Sequence, residues 1–235
     1  MKILSLDSSA TVATVALCED ETLLAEFTLN NGNTHSETLL PMVESVLHLY
    51  GIQVADVDVF ACTAGPGSFT GVRIGAATLK GLAFGTGKPC VGVSTPEAIA
   101  QNLVLHKGLI CPVMNARRSQ VYTALFRSDR SVLTRLMPDS ALSIAELDEL
   151  LASYGEPVCF CGDGYDITLS ALSKTTAIPV PDRLQKQSAY SVAQVARRML
   201  AAGEATTDAG LSVNYLRPSQ AERTRMEQEK QTNTK

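Results

Sequence analysis

Apolar residues alternate with polar ones over Lys2 to Leu6, Val12 to Leu17 and Leu23 to Leu29, with a polar turn Asp7-Ser8-Ser9-Ala10-Thr11 between the first two. Period-two alternation broken by short polar turns predicts a three-strand meander. From about Ser36 to Tyr50 the apolar positions shift to helical spacing: Leu39, Val43, Val46 and Tyr50 form one row, widened by Leu40, Met42, Leu47 and Leu49. A stripe that wide predicts a helix with a sheet on one side and another surface on the other. A buried strand follows at Val57 to Ala64, then the glycine-rich turn Gly65-Pro66-Gly67, a helix from Thr70 to Phe84, a short strand Cys90 to Val93 and a helix from Thr95.

The pattern then restarts. Leu109 to Met114, Gln120 to Phe126 and Val132 to Leu136 predict a second meander, and Ser143 opens a helix to Tyr154 as an N-cap with Glu146 three residues on. A strand Val158 to Cys161 and helices near Asp166 to Leu172 and Ser188 to Ala202 complete it. A β-β-β-α-β-α unit followed by a degenerate second copy is a duplication, not a solenoid of short repeats. The expected domains are residues 1–106, 107–221 with the helix at about 188–203 packing back on the first, and a disordered tail 222–235 of mixed charge. The duplicated α/β halves resemble the actin, sugar kinase and heat-shock ATPase superfold, with ribonuclease H-like domains. In that superfold the first hairpin of each half faces a nucleotide's phosphates; here these turns are Asp7-Ser8-Ser9 and Asn115-Ala116-Arg117-Arg118.

Composition narrows the picture. The 235 residues are 45% hydrophobic, enough for two modest cores, and neither a secretory h-region nor an apolar run long enough to span a bilayer is present. No membrane association is expected. Six cysteines lie mostly alone inside apolar runs, as reduced core residues do, which suits the cytoplasm. Cys159 and Cys161 would share one face of a buried strand and pack there. A net charge of −4, a pI near 5.4, no Trp and 5% aromatic residues argue against a chain that holds nucleic acid alone.

The turn Thr63-Ala64-Gly65-Pro66-Gly67-Ser68-Phe69-Thr70-Gly71-Val72-Arg73-Ile74-Gly75 invites a phosphate-loop reading, which fails on chemistry. Gly71 is followed by Val72-Arg73 where a phosphate loop needs Lys and a hydroxyl residue. A dinucleotide fingerprint fails at Thr70 and at Val93-Ser94, where an acid is required, and a nucleophile elbow fails because Pro66 and Thr70 replace its glycines. Pro66 between two glycines instead predicts a rigid corner in which the glycines supply φ > 0, with Ser68 or Thr70 as N-cap. Gly71, Gly75 and Gly81 each cost about 1 kcal/mol against Ala in a helix, so a close backbone approach must compensate. A docked partner protein would supply one, with both helices forming the contact surface; cover by the chain's other domain is the alternative.

His35, His48 and His106 lack metal-ligand spacing; His48 and His106 are expected in solvent and His35 at the helix start or an interface. A metallopeptidase is therefore disfavoured. An ATP-dependent kinase or ATPase using Asp7 on Mg²⁺ or as base is the alternative reading, without a second clear carboxylate motif.

Five motifs in order carry a closer resemblance: Asp7-Ser8-Ser9, the His35 to Pro41 stretch H-x-E-x-L-L-P, the Gly65 to Gly75 turn and helix start, Ala116-Arg117-Arg118 with Val121-Tyr122, and Tyr215-Leu216-Arg217-Pro218. Together they resemble the TsaB (YeaZ) family over Met1 to about Glu222. The resemblance implies a subunit of the bacterial machinery that makes threonylcarbamoyladenosine in tRNA, pairing with its catalytic sibling TsaD, with TsaE and tRNA joining through the complex. The apolar docking surface predicts a homodimer when the partner is absent, and no cofactor of its own is expected, any ATP use being left to the complex. The sibling's H-x-x-x-H metal pair aligns with Thr95 and Ile99, so no metal, no catalytic residue and no peptidase activity are expected here. Asn115 replaces a usual Asp, which makes Asp7, Ser8, Ser9, Asn115 and Arg117 vestigial phosphate-facing turns. The expected interface comprises His35, Leu39, Met42, Val43, Val46, Tyr50, Gly71, Val72, Ile74, Gly75, Thr78, Leu79 and Leu82.

Overall fold

The computed structural model describes residues 1–217; the expected tail 222–235 and Pro218 lie outside the described residues. Strands β1 (Lys2–Asp7), β2 (Ala13–Glu19) and β3 (Thr22–Leu29) form the first meander, and helix α1 spans His35–Tyr50. A single 3-10 turn at Val54–Asp56 leads into β4 (Val59–Gly65), followed by α2 (Phe69–Ala83), β5 (Cys90–Ser94) and α3 (Thr95–Gln101). The second half consists of β6 (Lys107–Asn115), β7 (Gln120–Asp129), β8 (Leu133–Ser143), α4 (Ile144–Ala152), β9 (Val158–Cys161), α5 (Tyr165–Leu169), β10 (Ala177–Ile178), α6 (Asp182–Gln185) and α7 (Ala189–Ala201).

Two five-stranded sheets result, ordered β3-β2-β1-β4-β5 and β8-β7-β6-β9-β10. In each, the meander is antiparallel, and the first strand, the fourth and the fifth run parallel to one another. Identical order and direction in both halves make the duplication a structural fact. This is the two-lobed α/β architecture of the actin and ribonuclease H-like superfold.

Strand alternation decides what each face holds. Leu4 and Leu6 of β1, with Val15, Leu17, Phe60 and Cys62, pack against α1 and α2 through Leu39, Val43, Val46, Ala76 and Leu79. Ile3, Ala16, Val59, Ala61 and Val91 point the other way, into Ala189, Val192, Ala193 and Ala196 of α7. Helix α7 therefore lies on the first sheet although it follows the second in the chain, and Ser5 Oγ donates 2.7 Å to the Ala189 carbonyl at its start. Helix α3 is shared between lobes: Ala98 faces the first sheet, while Ile99, Ala100 and nearby Leu103 meet Ile110 and Phe126 of the second. The far face of the second sheet is covered by α4, whose predicted capping box is present, with Ser143 and Glu146 bonding each other's backbone amides.

All six cysteines are free and buried. Cys159 and Cys161 share one face of β9 inside an apolar cluster, as alternation requires. Burial pushes the Cys62 and Cys111 thiols up to about 12. His48 is exposed, but His106 departs from the expectation of a solvated ring: it is only half-exposed, its Nε2 is enclosed without a partner, and it lies against Gly108. No helix among the described residues is long and apolar enough to cross a membrane.

From α7 the chain returns as an irregular strap over residues 204–217. Thr206 and Cys90 exchange backbone hydrogen bonds of 2.8 Å each, Leu211 is buried beside Gly92, and Asn214 N donates 2.7 Å to the Ala64 carbonyl. Helical or alternating periodicity is absent from this segment, so no element was predicted for it, yet its contacts hold it across the edge of the first sheet.

Candidate functional site

The parallel strands β1 and β4 end side by side, with Leu6 paired to Cys62, so the next residues, Asp7 and Thr63, meet at the carboxyl ends of the strands. Such ends, between two α/β lobes, are where ligands bind in open parallel sheets. Asp7 is fully buried; its Oδ1 accepts from Ser9 N at 2.7 Å and from Thr63 Oγ1 at 2.9 Å, and among the described residues no group bonds its Oδ2 within ordinary hydrogen-bond distance. Burial pushes this carboxyl above its ordinary value, opposed by the Ser9 and Thr63 hydrogen bonds. Ser9 is also buried, and its hydroxyl lies beside the Asp7 carboxyl and helps to hold it down.

Facing them across a cleft of about 640 Å³ are Met114, Asn115, Ala116, Arg117, Tyr122 and Asp163 of the second lobe. The β6–β7 hairpin is tight: Arg117, Arg118 and Ser119 take φ of 64°, 54° and 56°, a left-handed run without glycine. Asn115 Oδ1 accepts from Arg117 N at 2.9 Å and bridges its start. Asn115 N in turn donates 3.2 Å to Asp163 Oδ1. Burial pushes the Asp163 carboxyl up, and the nearby Asp7 adds to the push.

Asp163 was not singled out from sequence. The signal was Gly162-Asp163-Gly164 directly after the apolar run of β9, a turn that delivers a carboxylate to the cleft in front of the buried Asp7. The strap was also missed as a structural element, although its end, Tyr215-Leu216-Arg217, had been noted as a motif. It lines the cleft: Arg73 stacks over the Phe69 ring at 3.8 Å and its Nε donates to Tyr215 Oη at 2.7 Å, while Arg217 reaches the Ala116 carbonyl at 3.4 Å.

The corner at residues 65–67 is built differently from the sequence expectation. Only Gly65 has positive φ, at +104°; Gly67 is needed for space, since a Cβ there would sit 2.6 Å from the Ser9 carbonyl oxygen. Ser68 caps α2 by accepting from Gly71 N at 3.3 Å. Thus Ser9, Asn115 and Arg117 line one cleft, with Asp7 and Ser8 behind its floor; Ser8 Oγ donates 2.9 Å to the Gly71 carbonyl.

The expected interface needs correction. Leu39, Met42, Val43, Val46, Val72 and Leu79 are at most 7% exposed and fill the chain's own core or its cover, so none can form a docking surface. Gly71 and Gly75 are buried against Ser8, so the close approach that their missing Cβ atoms permit is to the chain's own first hairpin. His35 has its Nε2 2.7 Å from the Ala10 carbonyl oxygen, at the helix start. Tyr50, Ile74, Thr78 and Leu82 do reach the outside, next to exposed Leu40, Leu49, Ala77, Gly81 and Phe84. The outward stripe is real, but it is rotated from the row that helical spacing suggested.

Thr95 and Ile99 are both fully buried; Ile99 packs in the interlobe cluster, away from the cleft lining. Among the described residues no three His, Cys, Asp or Glu side chains gather as a metal would need.

Fold and cleft together define a two-lobed protein of the actin-like class whose cleft is lined by Ser9, Asp163, Arg117 and Arg217, with Asp7 buried behind its floor. A family model described as TsaD, tRNA N6-adenosine threonylcarbamoyltransferase, matches residues 22–224. The Bacillus subtilis tRNA threonylcarbamoyladenosine biosynthesis protein TsaB is 36% identical over 162 residues, 69% of this chain and 71% of that protein. The Escherichia coli protein of the same name is 38% identical over 56% of this chain and 57% of its own length. A solved structure from Pseudomonas aeruginosa, described as an uncharacterized protein similar to peptidase YeaZ, superposes with a TM-score of 0.81 at 24% identity, covering 92% of this chain and 99% of that one. The chain belongs to the TsaB (YeaZ) family, within the wider TsaD family that the model describes.

Proposed function

We propose that this chain is a non-catalytic subunit of tRNA threonylcarbamoyladenosine synthesis that binds and stimulates the transferase TsaD, with TsaE and tRNA joining through the complex. It works in the cytoplasm, and ATP is consumed by the complex. The relatives' names support the pathway. The accessory role rests on the resemblance, by which Thr95 and Ile99 align with the sibling's metal pair. Neither can replace a metal-bound imidazole.

The docking surface in this reading is the outward stripe of α2, Thr70, Ile74, Ala77, Thr78, Gly81 and Leu82, with Tyr50, Leu49 and Leu40 of α1. Small residues between apolar ones let a partner helix approach closely. In the absence of TsaD the same stripe pairs two copies of the chain. Gly81 is the point at which to test it, because among the described residues no atom lies within 4 Å of where its Cβ would be, and its backbone is ordinary helix. Gly81→Glu should leave the chain folded and abolish co-purification with TsaD. Intact co-purification removes this stripe as the interface, and tRNA modification that proceeds at full rate with the chain omitted removes the accessory role.

The kinase or ATPase reading gains one observation, since Asp163 lines the cleft and the buried Asp7 lies near enough to push its carboxyl up. Calorimetric titration of the isolated chain with MgATP separates the two readings: tight binding with turnover selects the enzyme.

A further inference from the structure

Apart from the strap, the chain passes between the lobes twice, at residues 102–106 after α3 and at residues 186–188 before α7. One side chain ties the two passages together. Asn102 Nδ2 donates to the Leu184 and Lys186 carbonyls at 3.1 and 2.7 Å, and its Oδ1 accepts from Ser191 Oγ of α7 at 2.7 Å. Both passages therefore share one pivot at the C-terminal end of α3.

A second polar contact joins the lobes at the other end of this helix. Ser94 caps α3 by accepting from Glu97 N at 3.3 Å, ends the edge strand β5, and is paired to Gly65 at the corner beside the cleft. Opposite it lies β8, the edge of the second sheet, whose register on β7 slips between Thr123 and Leu125 and again between Leu125 and Phe126. Irregularities of this kind re-aim side chains. Arg135 reaches from β8 over the Phe126 ring at 4.7 Å and donates to Glu97 Oε2 at 2.7 Å, to Ser94 Oγ at 3.2 Å and to Asp139 Oδ1 of its own strand at 2.6 Å. Ser94 Oγ in turn donates 3.0 Å to Asp139 Oδ1. With α3 counted in the first lobe, whose strand β5 it continues, Arg135–Glu97 is the one ion pair between lobes among the described residues. The side chains of Arg135, Glu97 and Asp139 are 32, 27 and 12% exposed, so salt screens them less than a surface pair.

We infer that Arg135 is a clasp that locks the two lobes at one angle, with Asn102 as the pivot and α3 as the arm between them, about 10 Å long by its seven residues. One guanidinium holds carboxylates from both lobes against each other. Without it Glu97 and Asp139 are like charges facing across the lobe boundary, and their repulsion drives β8 from β5 and alters the width of the cleft. Arg198 of α7 reaches the other Glu97 oxygen at 3.4 Å and has no bond to Asp139, so it offsets part of that repulsion without joining the lobes. A fixed cleft suits a chain that offers a partner a constant surface. The inference does not depend on which protein docks on α1 and α2.

Spin labels on Ala145→Cys of α4 and Ala201→Cys of α7, exposed helical positions on different lobes, report the interlobe distance in the full chain by pulsed dipolar electron resonance. The six native thiols are buried, and dilution with unlabelled chain leaves only distances within one molecule. The parent should give one narrow distance distribution. Arg135→Ala should shift its mean and broaden it, and adding Glu97→Gln and Asp139→Asn to that variant removes the repulsion and should bring it part of the way back. Arg135→Lys keeps the charge but loses the two-pronged reach, and should broaden the distribution less. Arg127→Ala, which breaks an ion pair inside the second lobe, should leave it unchanged. Circular dichroism identifies the folded variants on which the distances are read. A parent distribution that is already broad overturns the lock, as does a folded Arg135→Ala or Arg135→Lys chain with the parent's distribution. Equal broadening by Arg127→Ala reduces the clasp to a general loss of stability.

Discussion

Three glycines on one helix should respond in opposite ways to the same substitution. A Cβ at Gly71 would fall on the Ser8 carbonyl oxygen, with the carbonyl carbon at 3.2 Å, so backbone must move against backbone. At Gly75 it would stand 2.7 Å from Ser8 Oγ, a side-chain atom that can turn away if it gives up its 2.9 Å bond to the Gly71 carbonyl. At Gly81 it meets nothing. Replacing an interior helical glycine by alanine gains about 1 kcal/mol, and overpacking costs about 1–3 kcal/mol, more where backbone is the obstacle. Gly81→Ala should therefore stabilise by about 1 kcal/mol, Gly75→Ala should come out near neutral, and Gly71→Ala should lose about 2 kcal/mol. For a chain of this size each kcal/mol moves the melting temperature by about 2–4 °C, so thermal denaturation followed by circular dichroism resolves the order. A Gly71→Ala chain that melts at or above the parent would refute the packing of α2 on the first hairpin. It would also restore the idea that these glycines are kept for a partner.

Other outcomes follow from single side chains. Asp148 is buried at the α4 surface, and although burial acts upward, amide and hydroxyl donors of Ser173 and Thr175 hold its carboxyl at about 2. Its folded value lies below the ordinary 3.8, so its stabilisation is present above that value and is lost as pH falls from about 4 toward 2. Asp148→Asn should cost about 1–3 kcal/mol at neutral pH and flatten that part of the urea-midpoint profile; an unchanged profile contradicts the loop anchoring. The six thiols, all buried and several pushed up by desolvation, should stay unreactive to an aromatic disulfide reagent at pH 8 until denaturant opens the chain. A thiol that titrates rapidly in the native chain would contradict the core assignment. Tyr215→Ala should loosen the strap by removing the Arg73–Phe69–Tyr215 stack and raise hydrogen exchange at the Asn214 amide, while leaving the Thr206 amide protected.

Element type was legible wherever one periodicity ran for a full element. The meanders of β1 to β3 and β6 to β8, the helix from His35, the Ser68 cap and the Ser143–Glu146 capping box follow from local spacing alone. The short pieces, the Val54–Asp56 turn, β10 and α6, fall below the length at which periodicity is detectable, and the strap has none. Among site residues, the hairpin turns at Asp7 and Asn115 could be read because each joins two alternating runs. Asp163 could not, since a lone acid between glycines has no pattern until the sheet order brings β9 beside β6.

The sequence by itself determined the duplication and the family, because repeated periodicity and ordered motifs are properties of position along the chain. Only the tertiary structure decided which side of each helix remained outside. Spacing identifies an apolar row on α1 and small residues on α2, but the same row serves a core or a partner equally well. The decision came from the sheet: Phe60, Leu17 and Ser8 already occupy the faces carrying Leu39, Val46, Gly71 and Gly75. Gly81, Ile74 and Tyr50 were thereby left to the surface, and Arg73 and Arg217 were tied to Tyr215 and the Ala116 carbonyl by hydrogen bonds between residues more than 100 positions apart in the chain.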